Sequence, residues 1–220
     1  MIRPRAVLFD CDGVLADTEA LVNRIVAEDL TSRGWRISGE QARETFLGMA
    51  LPDMLPMIEA RVGPLPARWS HDLSRRISVA LLAEAQPVPG AVEALRAVVT
   101  AGLAVAVASN SGRDELHSKL ERLGVAALFG TRVFSFEDVA RPKPAPDMYR
   151  AAAAACGVPP ADCVVVEDSL LGARAGIAAG CRVMGFTRET DAAVLAAVGA
   201  VPFAQMRDLP GLLGLREPVA

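Results

Sequence analysis

From residue 91 to residue 186 the chain alternates short apolar runs with longer stretches of helical pattern, and few architectures tolerate that rhythm. A predicted helix over 91–100 stops at Gly102 before the apolar run 103–108. A second helix, 113–123, with Ser111 as its expected cap and Gly124 as its terminator, leads to a weaker run, 132–136. Helix 147–156 precedes the run 163–166, and helix 170–179 ends at Gly180 before 181–186. Runs so short and continuous read as strands buried on both faces, and parallel strands need helical crossovers. The expected fold class is therefore α/β, a Rossmann-like doubly wound parallel sheet. One more such run, Ala6–Phe9, stops at Asp10. Between it and the alternation the pattern is purely helical: Leu21/Ile25 and Val22/Val26 sit at i, i+4 spacings, Ser38 and Gln41 make a capping-box signature, and further helices are expected over 52–61 and 68–85. The organisation that follows is a core of 1–16 and 86–220 with a helical unit, 17–85, inserted after the first strand.

Composition narrows the function. With 52% hydrophobic and 22% charged residues the chain belongs with well-packed globular proteins. A formal charge of -3 gives no broad basic field for nucleic acid or an anionic membrane, so an anionic ligand must be gripped locally. Cys11, Cys156, Cys163 and Cys181 form no C-x-x-C pair and are expected to be reduced thiols. No apolar stretch reaches 18 residues and the N-terminus lacks a signal-peptide pattern, so a cytoplasmic protein is expected; the absence of an obvious dimerisation segment makes a monomer the expectation, and the charge balance a small-molecule partner.

In open α/β sheets ligands gather beyond the carboxyl ends of the strands. Here those ends carry Asp10-Cys11-Asp12-Gly13, then Ser109-Asn110, then the approach to Arg141-Pro142-Lys143-Pro144, then Glu167-Asp168. Asp10 and Asp12, two residues apart on an extended segment, start on the same side, separated by roughly 6–7 Å. A phosphoryl group fits between them, one carboxylate attacking phosphorus and the other exchanging a proton with the leaving oxygen and with water. Glu167 and Asp168 offer the hard oxygens magnesium prefers, and Lys143 a charge for phosphoryl oxygens. Ser109, with the backbone N–H groups of Asn110 and of Asp12 and Gly13, adds donors. Singly, each has an ordinary alternative: a solvated D-x-D turn, serines that merely cap helices, a loop lysine between prolines. Their order on successive strand ends is what points to phosphoryl chemistry.

The run Phe9-Asp10-Cys11-Asp12-Gly13-Val14-Leu15-Ala16-Asp17-Thr18-Glu19 resembles the first motif of the haloacid dehalogenase superfamily. Val107-Ala108-Ser109-Asn110, Lys143-Pro144-Ala145-Pro146-Asp147 and Val165-Val166-Glu167-Asp168-Ser169 resemble its second, third and fourth. The likeness is to the branch of β-phosphoglucomutase and related sugar-phosphate phosphatases. It implies an aspartyl phosphate on Asp10, Asp12 as general acid and base, magnesium held by Asp10, the Asp12 carbonyl, Glu167 and Asp168, and a helical cap domain over the site. Lys119 and Lys143 are the only lysines, so the cap lysine of the phosphonatases is missing, whereas Asp12, which the dehalogenases lack, is present. The mutases carry a histidine where this chain has Val22, and cations where it reads Leu47-Gly48-Met49-Ala50-Leu51. The resemblance thus implies a phosphatase for a small phosphorylated metabolite, with a phosphomutase as the alternative. Arg24, Arg43, Arg68, Arg75 and Arg76 are candidate cap cations; Trp69 and His71 receive no role.

Overall fold

The computed structural model describes residues 3–215. Its centre is a six-stranded, all-parallel sheet built from β1 Ala6–Phe9, β4 Ala104–Ala108, β5 Val133–Phe134, β6 Cys163–Glu167, β7 Arg182–Phe186 and β8 Val201–Phe203, in the order β5-β4-β1-β6-β7-β8. The side chains of β1 alternate between two cores. Val7 and Phe9 pack with α5 (Ala91–Thr100) and α6 (Arg113–Arg122), while Ala6 and Leu8 pack with α8 (Asp147–Ala155) and α9 (Leu170–Ala179). The chain winds outward from β1 to one edge and then returns to build the other, so its direction reverses beside β1. That reversal is where such sheets open a crevice.

The rest of the chain fills in around this frame. β2 (Ala16–Asp17) pairs antiparallel with β3 (Gln86–Pro87), and everything between them is helical: α1 Glu19–Ser32, α2 Gly39–Phe46, α3 Leu51–Val62 and α4 Trp69–Glu84. These helices share a core around Ile25, Leu30, Phe46, Ile58, Leu73 and Leu81. Asp29 ties α1 to α4 by accepting from Trp69 Nε1 at 2.6 Å, Arg33 Nε at 2.8 Å and Arg76 at 3.2 Å. The Ser38 capping box forms as expected, Gln41 N to Ser38 Oγ at 3.1 Å and Ser38 N to Gln41 Oε1 at 2.9 Å.

Two local expectations fail. The run 132–136 yields only Val133–Phe134 as strand, because Ser135 caps a short 3₁₀ turn, Phe136–Asp138, and Asp138 accepts from its backbone N–H at 2.8 Å. Ser111 does not cap α6; Gly112 occupies that position, and the Ser111 hydroxyl turns inward to Asp12. Shorter elements had no clear pattern in the sequence: α7 (Ala126–Phe129), α10 (Ala192–Ala197), α11 (Leu209–Leu212) and β8. No helix among the described residues is long and apolar enough to cross a membrane.

Candidate active site

Strand register brings the polar strand ends to one level. Phe9 is paired with Val107 on β4 and with Val166 on β6, so Asp10, Ala108 and Glu167 are neighbours at the carboxyl edge. Lys143, carried in on the segment before α8, places its Nζ 2.6 Å from Asp10 Oδ1, 2.6 Å from Glu167 Oε1 and 2.9 Å from the Ala108 carbonyl oxygen. It also lies 4.8 Å from the centroid of the Tyr149 ring, whose hydroxyl donates to Glu167 Oε1 at 2.8 Å. The other Glu167 oxygen accepts from the Asp168 and Ser169 backbone N–H groups and the Ser169 hydroxyl. Asn110 fixes the lysine's backbone, accepting from Lys143 N at 3.0 Å and donating to its carbonyl at 3.1 Å. The same amide donates to the Gly48 carbonyl of the helical unit at 2.8 Å.

Ligand oxygens of Asp10, Glu167 and Asp168 all lie within 4.8 Å of one another. Burial, and then the neighbouring Glu167 and Asp12, push the Asp10 carboxyl up to about 8 even with Lys143 beside it. Burial, Glu167 and Asp10 likewise hold Asp168 well above the usual carboxylate range. The Asp168 carboxylate has no hydrogen-bond partner among the described residues. Crowded acids of this kind, one of them unpaired, form a donor set suited to a hard divalent cation. The glycines around them leave no slack. A Cβ on Gly13, whose φ is +71°, would stand 1.9 Å from Asp168 Oδ2, and one on Gly172 would stand 1.6 Å from Glu167 Oε1.

Asp12 faces the same space from a different environment. Its Oδ1 accepts from Thr18 Oγ1 at 2.7 Å and Lys119 Nζ at 2.7 Å; its Oδ2 accepts from Lys119 Nζ at 2.6 Å, Ser111 Oγ at 2.8 Å and Ser109 Oγ at 3.0 Å. Burial raises its pKa, but the Lys119 charge and these donors outweigh burial and bring it down to about 2. The two neighbouring aspartates are thereby pushed in opposite directions, Asp10 toward its neutral form and Asp12 toward its carboxylate.

Above these residues lies a cavity of about 550 Å³, walled on the opposite side by the helical unit. Val22, Phe46, Met49 and Met54 give that wall an apolar surface, with Glu19, Asn23 and Ser74 as its polar points. Burial, then Asp12, raises Glu19 to about 7. Of the candidate cap cations only Arg75 lines the cavity; Arg43 pairs with Glu189, Arg24 with Glu28 and Arg76 with Asp29. Trp69 is a core residue of the helical unit, and His71 sits at the cavity rim.

Of the site residues anticipated from sequence, Asp10, Asp12, Ser109, Asn110, Lys143 and Asp168 line one cavity, while Glu167 is buried behind it against Lys143 and Gly13 packs against Asp168. Lys119, Tyr149, Thr18 and Ser111 were missed. Lys119 had a legible signal, since it shares the buried stripe of α6 with Leu116 and Leu120, where a charge is out of place.

A parallel α/β sheet whose switch point gathers an acidic cluster able to hold a cation, a buried lysine and a separately tuned aspartate is suited to an anionic, oxygen-rich group. Comparison with known proteins gives the class a family. Residues 4–180 match the model of the haloacid dehalogenase-like hydrolases. The 6-phosphogluconate phosphatase of Escherichia coli is 29% identical over 96% of this chain and 96% of its own. The phosphorylated carbohydrates phosphatase of Thermotoga maritima is 30% identical over 94% and 97%. The crystal structure of CbbY from Rhodobacter sphaeroides in complex with phosphate superposes with a TM-score of 0.82 at 29% identity, covering 96% of this chain and 99% of that one. The chain belongs to the haloacid dehalogenase-like hydrolases and is an enzyme of the phosphatase kind.

Proposed function

We propose that the protein is a magnesium-dependent, cytoplasmic monomer that hydrolyses the phosphate monoester of a sugar or related small metabolite through an aspartyl phosphate on Asp10. The observation that carries this reading is Lys143 Nζ bridging Asp10 and Glu167 at 2.6 Å each, with Asp12 two residues on facing the same cavity. Asp10 attacks phosphorus, the bond to the leaving oxygen breaks, and Asp12 gives that oxygen a proton. Water then attacks the phosphorus of the aspartyl phosphate and passes a proton to Asp12. The bond to Asp10 breaks and inorganic phosphate leaves. Ser109 Oγ, the backbone N–H groups of Asp12 and Asn110, and Lys143 hold the phosphoryl oxygens, whereas Gly13, also expected from sequence, gives its N–H to the Ala16 carbonyl at 2.9 Å. Magnesium, for which Asp10, Glu167, Asp168 and the Asp12 carbonyl are the candidate ligands, supplies charge neutralisation when bound.

The helical unit, 17–85, acts in this reading as a cap that closes the site and selects the substrate. Val22 and the apolar loop 47–51, where the mutases carry a histidine and cations, support hydrolysis over phosphate migration, and Arg75 is the one candidate cap cation on the cavity wall. A panel of phosphorylated metabolites followed by phosphorus NMR tests the proposal. Magnesium-dependent release of inorganic phosphate, lost on chelation and in Asp10→Asn, is expected; isomerised sugar phosphate with little free phosphate would make the enzyme a mutase instead.

A further inference from the structure

We infer that Lys119 is a positioning residue that holds Asp12 for the water half of the reaction. The inference rests on the aspartyl-phosphate reading above. Lys119 is fully buried on α6, while the Asp12 side chain keeps 22% of its surface open toward the cavity. The ammonium therefore grips the carboxylate from behind, touching Oδ1 at 2.7 Å and Oδ2 at 2.6 Å, and leaves its front to the reacting groups.

The grip is not a lone contact. Lys119 also donates to Ser111 Oγ at 2.7 Å, and Ser111 donates to Asp12 Oδ2, so lysine, serine and carboxylate close a ring that fixes the plane of the acid. Stability alone does not account for such a lysine. The position lies on the apolar stripe between Leu116 and Leu120, where a hydrophobic residue would cost no desolvation, and a buried ion pair is often no more stable than its apolar replacement. What the pair secures is orientation. A general base acts only when its oxygen is aimed at the proton it removes. When water attacks the aspartyl phosphate and loses its proton to Asp12, the base is a carboxylate already turned, paired and held.

The consequence is kinetic and specific to one step. Formation of the aspartyl phosphate from an aryl phosphate needs no proton donor, because the phenolate leaves unaided; its breakdown needs Asp12. Rapid-quench measurements with p-nitrophenyl phosphate and magnesium, trapping phosphoenzyme in acid, compare the wild type with Lys119→Met and Lys119→Arg. In Lys119→Met we expect kcat to fall at least tenfold, KM to fall with it so that kcat/KM stays within about threefold, and trapped phosphoenzyme to rise severalfold. Lys119→Arg should recover part of kcat. Ser111→Ala, which keeps the buried charge paired, should show the same signature at about two- to fivefold and serves if Lys119→Met does not fold. A loss in kcat/KM without added phosphoenzyme, or an unchanged kcat, overturns the assignment. Turnover in the wild type with no trappable phosphoenzyme, and none dependent on Asp10, instead strikes the underlying reading.

Discussion

The floor and the roof of the cavity are built by different forces. On the floor Asp10, Lys143, Glu167 and Asp168 are all buried, and Lys143 and Glu167 have every polar atom engaged by charge-assisted hydrogen bonds shorter than about 3.2 Å. On the roof Val22, Phe46, Met49 and Met54 meet the cavity with surfaces that carry no direction. Hydrogen bonds fix positions to tenths of an ångström, whereas apolar contact fixes little more than volume. Floor and roof touch through a few polar points: Asn110 to Gly48 at 2.8 Å, Ser74 to Glu115 at 2.6 Å, and Arg43 to Glu189. In the proposed function the directional floor makes and breaks bonds, and the non-directional roof selects what enters.

The contrast can be broken at several places. Asp10→Asn should lower turnover of every substrate by roughly 10⁴-fold or more with KM little changed, as a continuous phosphate-release assay would record. Lys143→Met should cost about 10²–10³ in kcat. It should also destabilise the fold by about 3–5 kcal/mol, because Asp10 and Glu167 lose their buried counter-charge; urea unfolding measures this. Met49→Ala should leave p-nitrophenyl phosphate turnover within about twofold while moving the ranking of larger substrates by up to about tenfold in kcat/KM. An equal loss for all substrates would show that the roof takes part in the chemistry alongside the floor.

The smallest effect concerns Glu19. Its folded-state pKa of about 7 lies above the ordinary 4.5, so the folded protein binds the proton more tightly than the unfolded chain. Stability should then fall as pH rises from about 4.5 to about 7, and Glu19→Gln should flatten that slope in urea titrations. A wild-type slope of the opposite sign would remove Glu19 from the account.

The same contrast explains what could be read from the sequence. Asp10, Ser109, Lys143 and Glu167 follow apolar runs directly or through a proline-fixed segment, and parallel register carries strand ends to one edge. Order along the chain therefore becomes proximity in space. Helix positions 91–100 and 170–179 were legible from stop glycines and period. Lys119 stands out as a charge on an apolar stripe, but its partner lies 107 residues away and only the packing of α6 on the sheet brings the two together. Tyr149 carries no signal of its own in the sequence, and its part in the site rests on the fold that brings its hydroxyl to Glu167 Oε1 at 2.8 Å. The roof was legible as helices and not as a surface, since the angles among α1–α4 depend on how side chains interlock rather than on any repeat.

Ala16 stands opposite Pro87 and Asp17 opposite Gln86, so the chain leaves the sheet and comes back to it through one narrow ribbon. A segment whose two ends are neighbours can be lengthened, shortened or exchanged for another without the strands beneath registering the change. The ribbon is in effect a socket: what it carries can change while the machinery below stays as it is.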